Sequence, residues 1–263
     1  MFVDLHTHLI PCVDDGSPDL ATSINWLSQM VASGVDEVAV TPHVNMFFDP
    51  SAGDSHAHML RSRGWGMGGA DPRTFVAAGF DSLQRAAAVA GLDVRLHQGG
   101  ELNPTVALMQ TRETLEVIAL GPKERPWVLM EVDLFIAFDE QWSVAADHVR
   151  SLGFDVVLAH PERAINMAEK ASLDRVRAEA RNGVRIAVNA PSLLYQGSEH
   201  QRIALQLIDE GLVTAAASDV HPSSRETLIS SLLDERRSLG LSERDVLSLI
   251  GDGPRGLIAD GCV

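Results

Sequence analysis

Seven short apolar runs punctuate this chain, at residues 2–5, 36–41, 94–98, 127–131, 155–159, 185–189 and 213–217, and stretches of helical period separate them. Runs this apolar and this rich in β-branched residues suit strands buried on both faces. Alternation of such strands with helices predicts parallel β/α units, arranged as a barrel or as an open doubly wound sheet. The helices carry their own punctuation. Ser17 is placed to cap one, with Pro18 at its first position, Gly34 past its end, and Leu20, Ile24, Leu27 and Val31 on one face. Trp142, Ala145, Val149 and Leu152 make a second apolar face before Gly153. Asn182-Gly183 and Gly211 stop two more helices ahead of strands, and Ser242 with Asp245 spells a capping box.

Composition narrows the class. At 263 residues and 45% hydrophobic, the chain can bury a large core. With no repeat and no interdomain linker, one domain over residues 1–263 is expected. A net charge of −15 and a pI of about 5.0 exclude a polyanion such as nucleic acid as the expected partner, since no basic face is in sight. Cys12 and Cys262 stand near opposite ends and make no disulfide framework. No basic segment leads into an apolar one at the start, and no run of ~18 apolar residues occurs, so neither secretion nor membrane insertion is expected. A cytoplasmic location follows as an expectation. The segment 49–71, rich in Gly, Ser, Asp and His, is too long for an ordinary βα loop. It reads equally as a surface loop or as a lid over substrate.

The distribution of His, Asp and Glu carries the chemistry. His6 and His8 follow the first strand, with Asp15 in the next loop; His43 follows the second and Glu101 the third. Glu131 closes the fourth strand, His160 the fifth, and Asp219 and His221 follow the seventh. Six of seven strands thus end in a possible metal ligand, and the sixth in sequence ends in Asn189, a poor one. In a β/α barrel these ends converge on one mouth. Imidazoles and carboxylates without thiolates suit manganese, iron or zinc at a catalytic site rather than a structural zinc. Taken singly, each element has an ordinary explanation. His-x-His on a strand puts two imidazoles on one face, and a Glu at a strand end is usually solvated or ion-paired. Only the shared phase with the strands argues for a metal site. His56 and His58 lie in the long loop, His148 and His200 on expected surface helices, and His97 within a strand. Arg163 and Arg225 lie just beyond His160 and His221, and a guanidinium fork matches phosphate geometry.

The segments Asp-Leu-His-Thr-His, Val-Asp-Asp-Gly, Thr-Pro-His, Gly-Gly-Glu-Leu, Ala-His-Pro-Glu-Arg, Val-Asn-Ala-Pro-Ser-Leu-Leu and Ala-Ser-Asp-Val-His occur in that order between residue 1 and about residue 225. Together they resemble the polymerase-and-histidinol-phosphatase (PHP) superfamily, and within it the capsule-associated bacterial tyrosine phosphatases of the CpsB/YwqE type. The resemblance implies a distorted seven-stranded (β/α)7 barrel holding two to three divalent metal ions, with manganese first and iron or zinc as alternatives. By that resemblance His6, His8, Glu131 and Asp219 hold one ion. Glu131 bridges to a second, shared with Glu101 and His160. Asp15, His43 and His221 hold a third. Arg163 and Arg225 bind phosphate, and Asp219 or His221 relays a proton. The implied substrate is a phosphotyrosine-bearing protein, namely the tail of a bacterial tyrosine kinase that governs capsular or exopolysaccharide synthesis. Asn103-Pro104, the long 49–71 segment and the close spacing of Arg225 to His221 depart from the family pattern and bear on substrate choice. Three rivals stand beside this expectation: a PHP phosphatase of a small metabolite such as histidinol phosphate, a TatD-like or amidohydrolase-like metallohydrolase, and a degenerate barrel kept as a binding module. No Cys-x5-Arg segment is present, so a cysteine-nucleophile phosphatase is not expected.

Overall fold

The computed structural model describes residues 1–45, 69–132, 137–195, 198–222 and 229–262. Arg225, His56, His58 and all but the last residues of the 49–71 segment lie outside the described residues.

All seven expected strands are present: β1 (Phe2–Thr7), β2 (Val35–Val40), β4 (Arg95–Gln98), β6 (Trp127–Glu131), β7 (Asp155–Ala159), β8 (Arg185–Asn189) and β9 (Val213–Ala217). Two further strands are only two residues long, β3 (His43–Val44) and β5 (Glu101–Leu102). They arise where Thr41-Pro42 interrupts the line of β2 and Gly99-Gly100 interrupts that of β4. Pro42 has no N–H to extend the ladder, although its carbonyl still accepts from Glu101 N at 2.9 Å. Gly100 permits a close approach, since a Cβ there would stand 2.6 Å from Ile118. His43 and Glu101 therefore sit on short strands of their own, rather than in the loops the sequence suggested.

The described strands form two parallel sheets, in the orders β1-β2-β4 and β3-β5-β6-β7-β8-β9. β1 also meets the segment beyond β9. Thr7 bridges Val220 in parallel, and Asp219 N donates to His6 O at 2.9 Å. β4 departs from the expectation of double-sided burial: it is the outer strand of its sheet, and Arg95 is exposed.

Strand alternation sorts the core into two clusters. The larger packs one face of the sheets against helices, with Val128, Met130, Val156, Leu158, Ile186 and Val188 among its members. The smaller holds the alternate residues: Val3, Leu5, Ala39, Trp127, Leu129, Val157, Ala159, Ala187 and Ala215. The helix Gly253–Asp260 reaches it through Leu257, whose carbonyl accepts from Trp127 Nε1 at 2.8 Å.

Most helix signals appear where expected. Asn182-Gly183 and Gly211 end the helices Lys170–Arg181 and Glu199–Asp209, and the Ser242–Asp245 capping box forms. The first helix differs. It spans Leu20–Ala32 and is capped by Asp19, whose carboxylate accepts from Thr22 N at 2.7 Å. Ser17 is engaged instead with Asp19 O and Ser23. The buried face is Ser23, Trp26, Leu27 and Met30, rotated from the expected stripe because tertiary packing buries the large Trp26.

Leu129 is fully buried at the centre of the smaller cluster. Leu129→Ala should therefore destabilise the fold by about 2–5 kcal/mol. The half-exposed Val144, changed to Ala, should cost well under 1 kcal/mol. Urea titrations followed by circular dichroism check the pair, and equal midpoints would contradict the assignment of the core.

Candidate metal centre

The smaller cluster is the floor of a polar site. Continuing the alternation of its strands leads from Ala39 to His43, from Leu129 to Glu131, from Ala187 to Asn189 and from Ala215 to Asp219. Along β1 the alternation alone would not aim His6 into the site. An irregularity in β1–β2 pairing between Asp4 and Thr7 changes the register there. His160 and Asp219 leave their strands in left-handed conformations, with φ of 35° and 49°. Such angles are costly for non-glycine residues and recur at functional sites.

All nine expected ligands come together. They fall into four overlapping groups whose donor atoms lie within 4.8 Å of one another: His8, Asp15, His43 and His221; His6, Glu101 and His160; His6, His8 and Asp219; His43, Glu101 and Glu131. Glu101 is central. Its Oε2 lies 2.9 Å from His43 Nδ1, 3.1 Å from His6 Nε2 and 3.3 Å from His8 Nε2, and its Oε1 lies 2.8 Å from His160 Nε2. Glu131 stands to one side, 3.7 Å from His43 Nδ1, with Asn103 Nδ2 donating to its Oε1 at 2.8 Å. β5 thus carries Glu101, rather than Glu131, into the middle of the imidazoles. Asp15 Oδ1 faces His221 Nε2 at 3.1 Å and His43 Nε2 at 3.4 Å.

These donors fit divalent cations. Glu101 Oε2 is buried among three imidazole nitrogens yet makes no well-directed hydrogen bond. His6 Nε2 and His8 Nε2 converge to 3.1 Å, a separation at which lone pairs repel unless a proton or a cation lies between them. Nitrogen and carboxylate oxygen without sulfur is the donor set of manganese, iron or zinc at catalytic sites.

Burial sets the electrostatics. It disfavours imidazolium at His8 and His43. The carboxylates of Asp14 at His8 and of Glu101 at His43 override it and hold both rings well above the ordinary value. Burial would likewise raise Glu101, but the His6 and His43 rings hold it well below the usual carboxylate range. At His160 burial prevails and depresses the ring to about 4. Burial pushes Glu162 up to about 7 and Asp4 up to about 6.

Several supporting residues escaped the sequence reading. Asp14 orients His8. Its Oδ2 lies 2.7 Å from His8 Nδ1 and accepts from His43 N at 3.0 Å, while its Oδ1 accepts from Gly16 N at 2.9 Å. The doubled Asp-Asp before a glycine was the available signal. Asp4 accepts from Ser218 N at 3.0 Å and so ties β1 to the segment bearing Asp219. Arg163 reaches the site, its Nη1 2.6 Å from Asp219 Oδ2. His97 pairs with Glu37 at 2.8 Å and does not belong to any of the four groups, and neither do His148 or His200.

A parallel α/β scaffold that gathers imidazoles and carboxylates at its strand ends is of the metallohydrolase type. The chain belongs to the capsular polysaccharide synthesis CpsB/CapC family, whose description matches residues 2–62 and 69–231. It is 25% identical over 225 residues to tyrosine-protein phosphatase YwqE of Bacillus subtilis (strain 168), covering 83% of this chain and 77% of that one. Tyrosine-protein phosphatase CpsB of Streptococcus agalactiae serotype III is 23% identical over 225 residues, covering 83% and 82%. Among solved structures, one described with YwqE from Bacillus subtilis and CpsB from Streptococcus pneumoniae as unique metal-dependent tyrosine phosphatases superposes with a TM-score of 0.74. It is 21% identical and covers 99% of this chain and 95% of that one, a likeness of fold.

A Cβ on Gly16 would stand 2.3 Å from His8 Cβ and 2.4 Å from His8 O. Gly16→Ala must displace the loop that holds Asp14 and Asp15, and should weaken cation binding by roughly 10–100-fold, as loss of an outer partner typically does. Circular dichroism should stay unchanged, and metal analysis after dialysis reads the effect. Because imidazole ligands must be neutral, and His8 and His43 hold their protons well above the ordinary histidine range, cation affinity should fall steadily as pH is lowered and recover on raising it. Retention of the cation down to pH 4 would contradict imidazole ligation.

Proposed function

We propose that this protein is a metal-dependent protein-tyrosine phosphatase, a single domain over residues 1–263. The observation that carries the reading is the meeting of nine imidazole and carboxylate ligands with the Arg163 guanidinium at one place. Membership in the CpsB/CapC family, and relatives named as tyrosine-protein phosphatases, support it over a metabolite phosphatase or a C–N hydrolase. The contact of β1 with the Asp219–Val220 segment, and the alignment of β2 with β3 and of β4 with β5, support a distorted seven-stave (β/α)7 barrel.

In this reading His6, His8, Glu101 and Asp219 hold one cation, Glu101, Glu131 and His160 a second, and Asp15, His43 and His221 a third. Manganese is the first choice, with iron or zinc as alternatives. Such ions supply Lewis-acid charge and water of lowered pKa. The chain's own residues do the rest. Arg163, partly exposed, offers a planar fork to phosphoryl oxygens while Asp219 fixes its direction. Arg225, whose position lies outside the described residues, is assigned the opposite side of the phosphate on sequence grounds. Asp219 or His221, whose side chains adjoin at 3.3 Å, is assigned the relay of a proton to the departing oxygen. A phenol with a pKa near 10 leaves more readily than an alkoxide, so phosphotyrosine asks least of that relay.

The substrate proposed is a phosphorylated tyrosine on the tail of a bacterial tyrosine kinase that regulates capsule or exopolysaccharide synthesis, met in the cytoplasm. No described helix is long and apolar enough to cross a membrane. The chain's acidity argues against nucleic acid.

Manganese-loaded protein should release phosphate from a phosphotyrosyl peptide in preference to a phosphoseryl peptide or histidinol phosphate. Chelation should abolish the activity and manganese restore it. Release from histidinol phosphate alone would overturn the substrate assignment. At saturating manganese, Arg163→Ala should lower kcat/KM by roughly 10²–10³-fold, the scale of losing one preorganised donor to transition-state charge.

A further inference from the structure

Asn189 ends β8 and is a buried polar strand terminus that the proposed ligand set does not employ. It is 2% exposed. Its backbone N–H donates to Glu162 Oε1 at 2.9 Å, and its side-chain Nδ2 donates to Asp219 Oδ2 at 2.7 Å. The direction of the carboxamide follows from chemistry, because an ionised carboxylate only accepts and so takes the NH2 end. Asp219 Oδ2 also receives Arg163 Nη1 at 2.6 Å. With two donors on Oδ2, the other oxygen is turned toward the imidazoles: Oδ1 stands 3.2 Å from His8 Nε2, 3.3 Å from His221 Nδ1 and 3.6 Å from His6 Nε2. Asp219 has a φ of 49°, a backbone state that needs support from its surroundings.

We propose that Asn189 is a positioning residue: held in place by buried Glu162, it donates to one oxygen of Asp219 and so presents the other as a single, fixed ligand atom to the cation. The inference rests on the metal-centre reading above. The competing role is direct ligation by Asn189 itself, and the two predict opposite responses to one substitution.

Asn189→Asp replaces the donor by a carboxylate against Asp219. In a positioning role it should weaken binding of zinc or manganese by roughly 10–100-fold, measured by competition with a chromophoric chelator. It should also alter the visible spectrum of the cobalt(II)-substituted protein. As a direct ligand, an aspartate would bind as tightly as asparagine or more tightly, and that result would overturn the proposal. Asn189→Ala removes the donor without adding charge and should also loosen the cation; unchanged affinity in it would overturn the proposal as well. It serves too if the aspartate variant does not fold. Glu162→Gln keeps a carbonyl oxygen for Asn189 N–H and should bind within about threefold of the parent, whereas a loss as large as that of Asn189→Asp would overturn the supporting role of Glu162. Parent protein that binds no cation in the same assay would sink the metal-centre reading itself, whatever the variants do.

Discussion

The structure depends on the burial of Glu101. Its carboxylate is wholly enclosed, and four imidazoles stand within 3.3 Å of its two oxygens. An unpaired carboxylate in that position would cost several kcal/mol. Glu131, Asp219 and Asp15 gather close by and add charge of the same sign. Only positive charge can offset such a group, and there are two sources: protons on the imidazoles or divalent cations. The raised basicity of His8 and His43 shows how strongly the carboxylates attract either. Cation affinity is therefore a consequence of burial, and protons compete for the same field.

The scaffold makes that burial possible by division of labour between strand faces. One face takes Val, Leu and Ile against helices. The other carries small residues, Ala39, Ala159, Ala187 and Ala215, under the site and Trp127 where the helix Gly253–Asp260 packs. His6, His43, Glu101 and Glu131 are held by strand ladders, and His8, Asp15, His160, Asp219 and His221 stand beyond strand ends. Where alternation would fail, the chain departs from regularity: the changed pairing in β1 and the left-handed His160. Asp4, Asp14, Asn103 and Asn189 then hold the ligands or their strands by hydrogen bonds. Preorganised donors of this kind keep ligand atoms in place before a cation arrives.

The long strands were legible because each is an unbroken apolar run, and a doubly buried strand has no other composition available. β3 and β5 were not legible, since two residues show no periodicity; only their pairing partners make them strands. The first helix shows a similar limit. Ser17 and Asp19 are both good caps, and the choice went to Asp19 because Ser17's hydroxyl is taken by Ser23. Leu20, Ile24 and Val31 form a real stripe, but burying Trp26 and Met30 removes more apolar surface and turns the helix accordingly.

Sequence alone offered a set of candidate ligands and its phase with the strands, and His6, His8, Asp15, His43, Glu101, Glu131, His160, Asp219, His221 and Arg163 do come together in the fold. Tertiary structure decided the order within that set. It placed Glu101 rather than Glu131 at the centre of the imidazoles, set Asp14 against His8, and made Asn189 a partner of Asp219. The reason is physical. Strand ends follow from local composition, whereas distances among residues far apart in the chain follow from strand order, register and the turn of each loop. Adjacent carboxylates such as Asp14 and Asp15 are alike as residues, and only the folded loop gives them different neighbours.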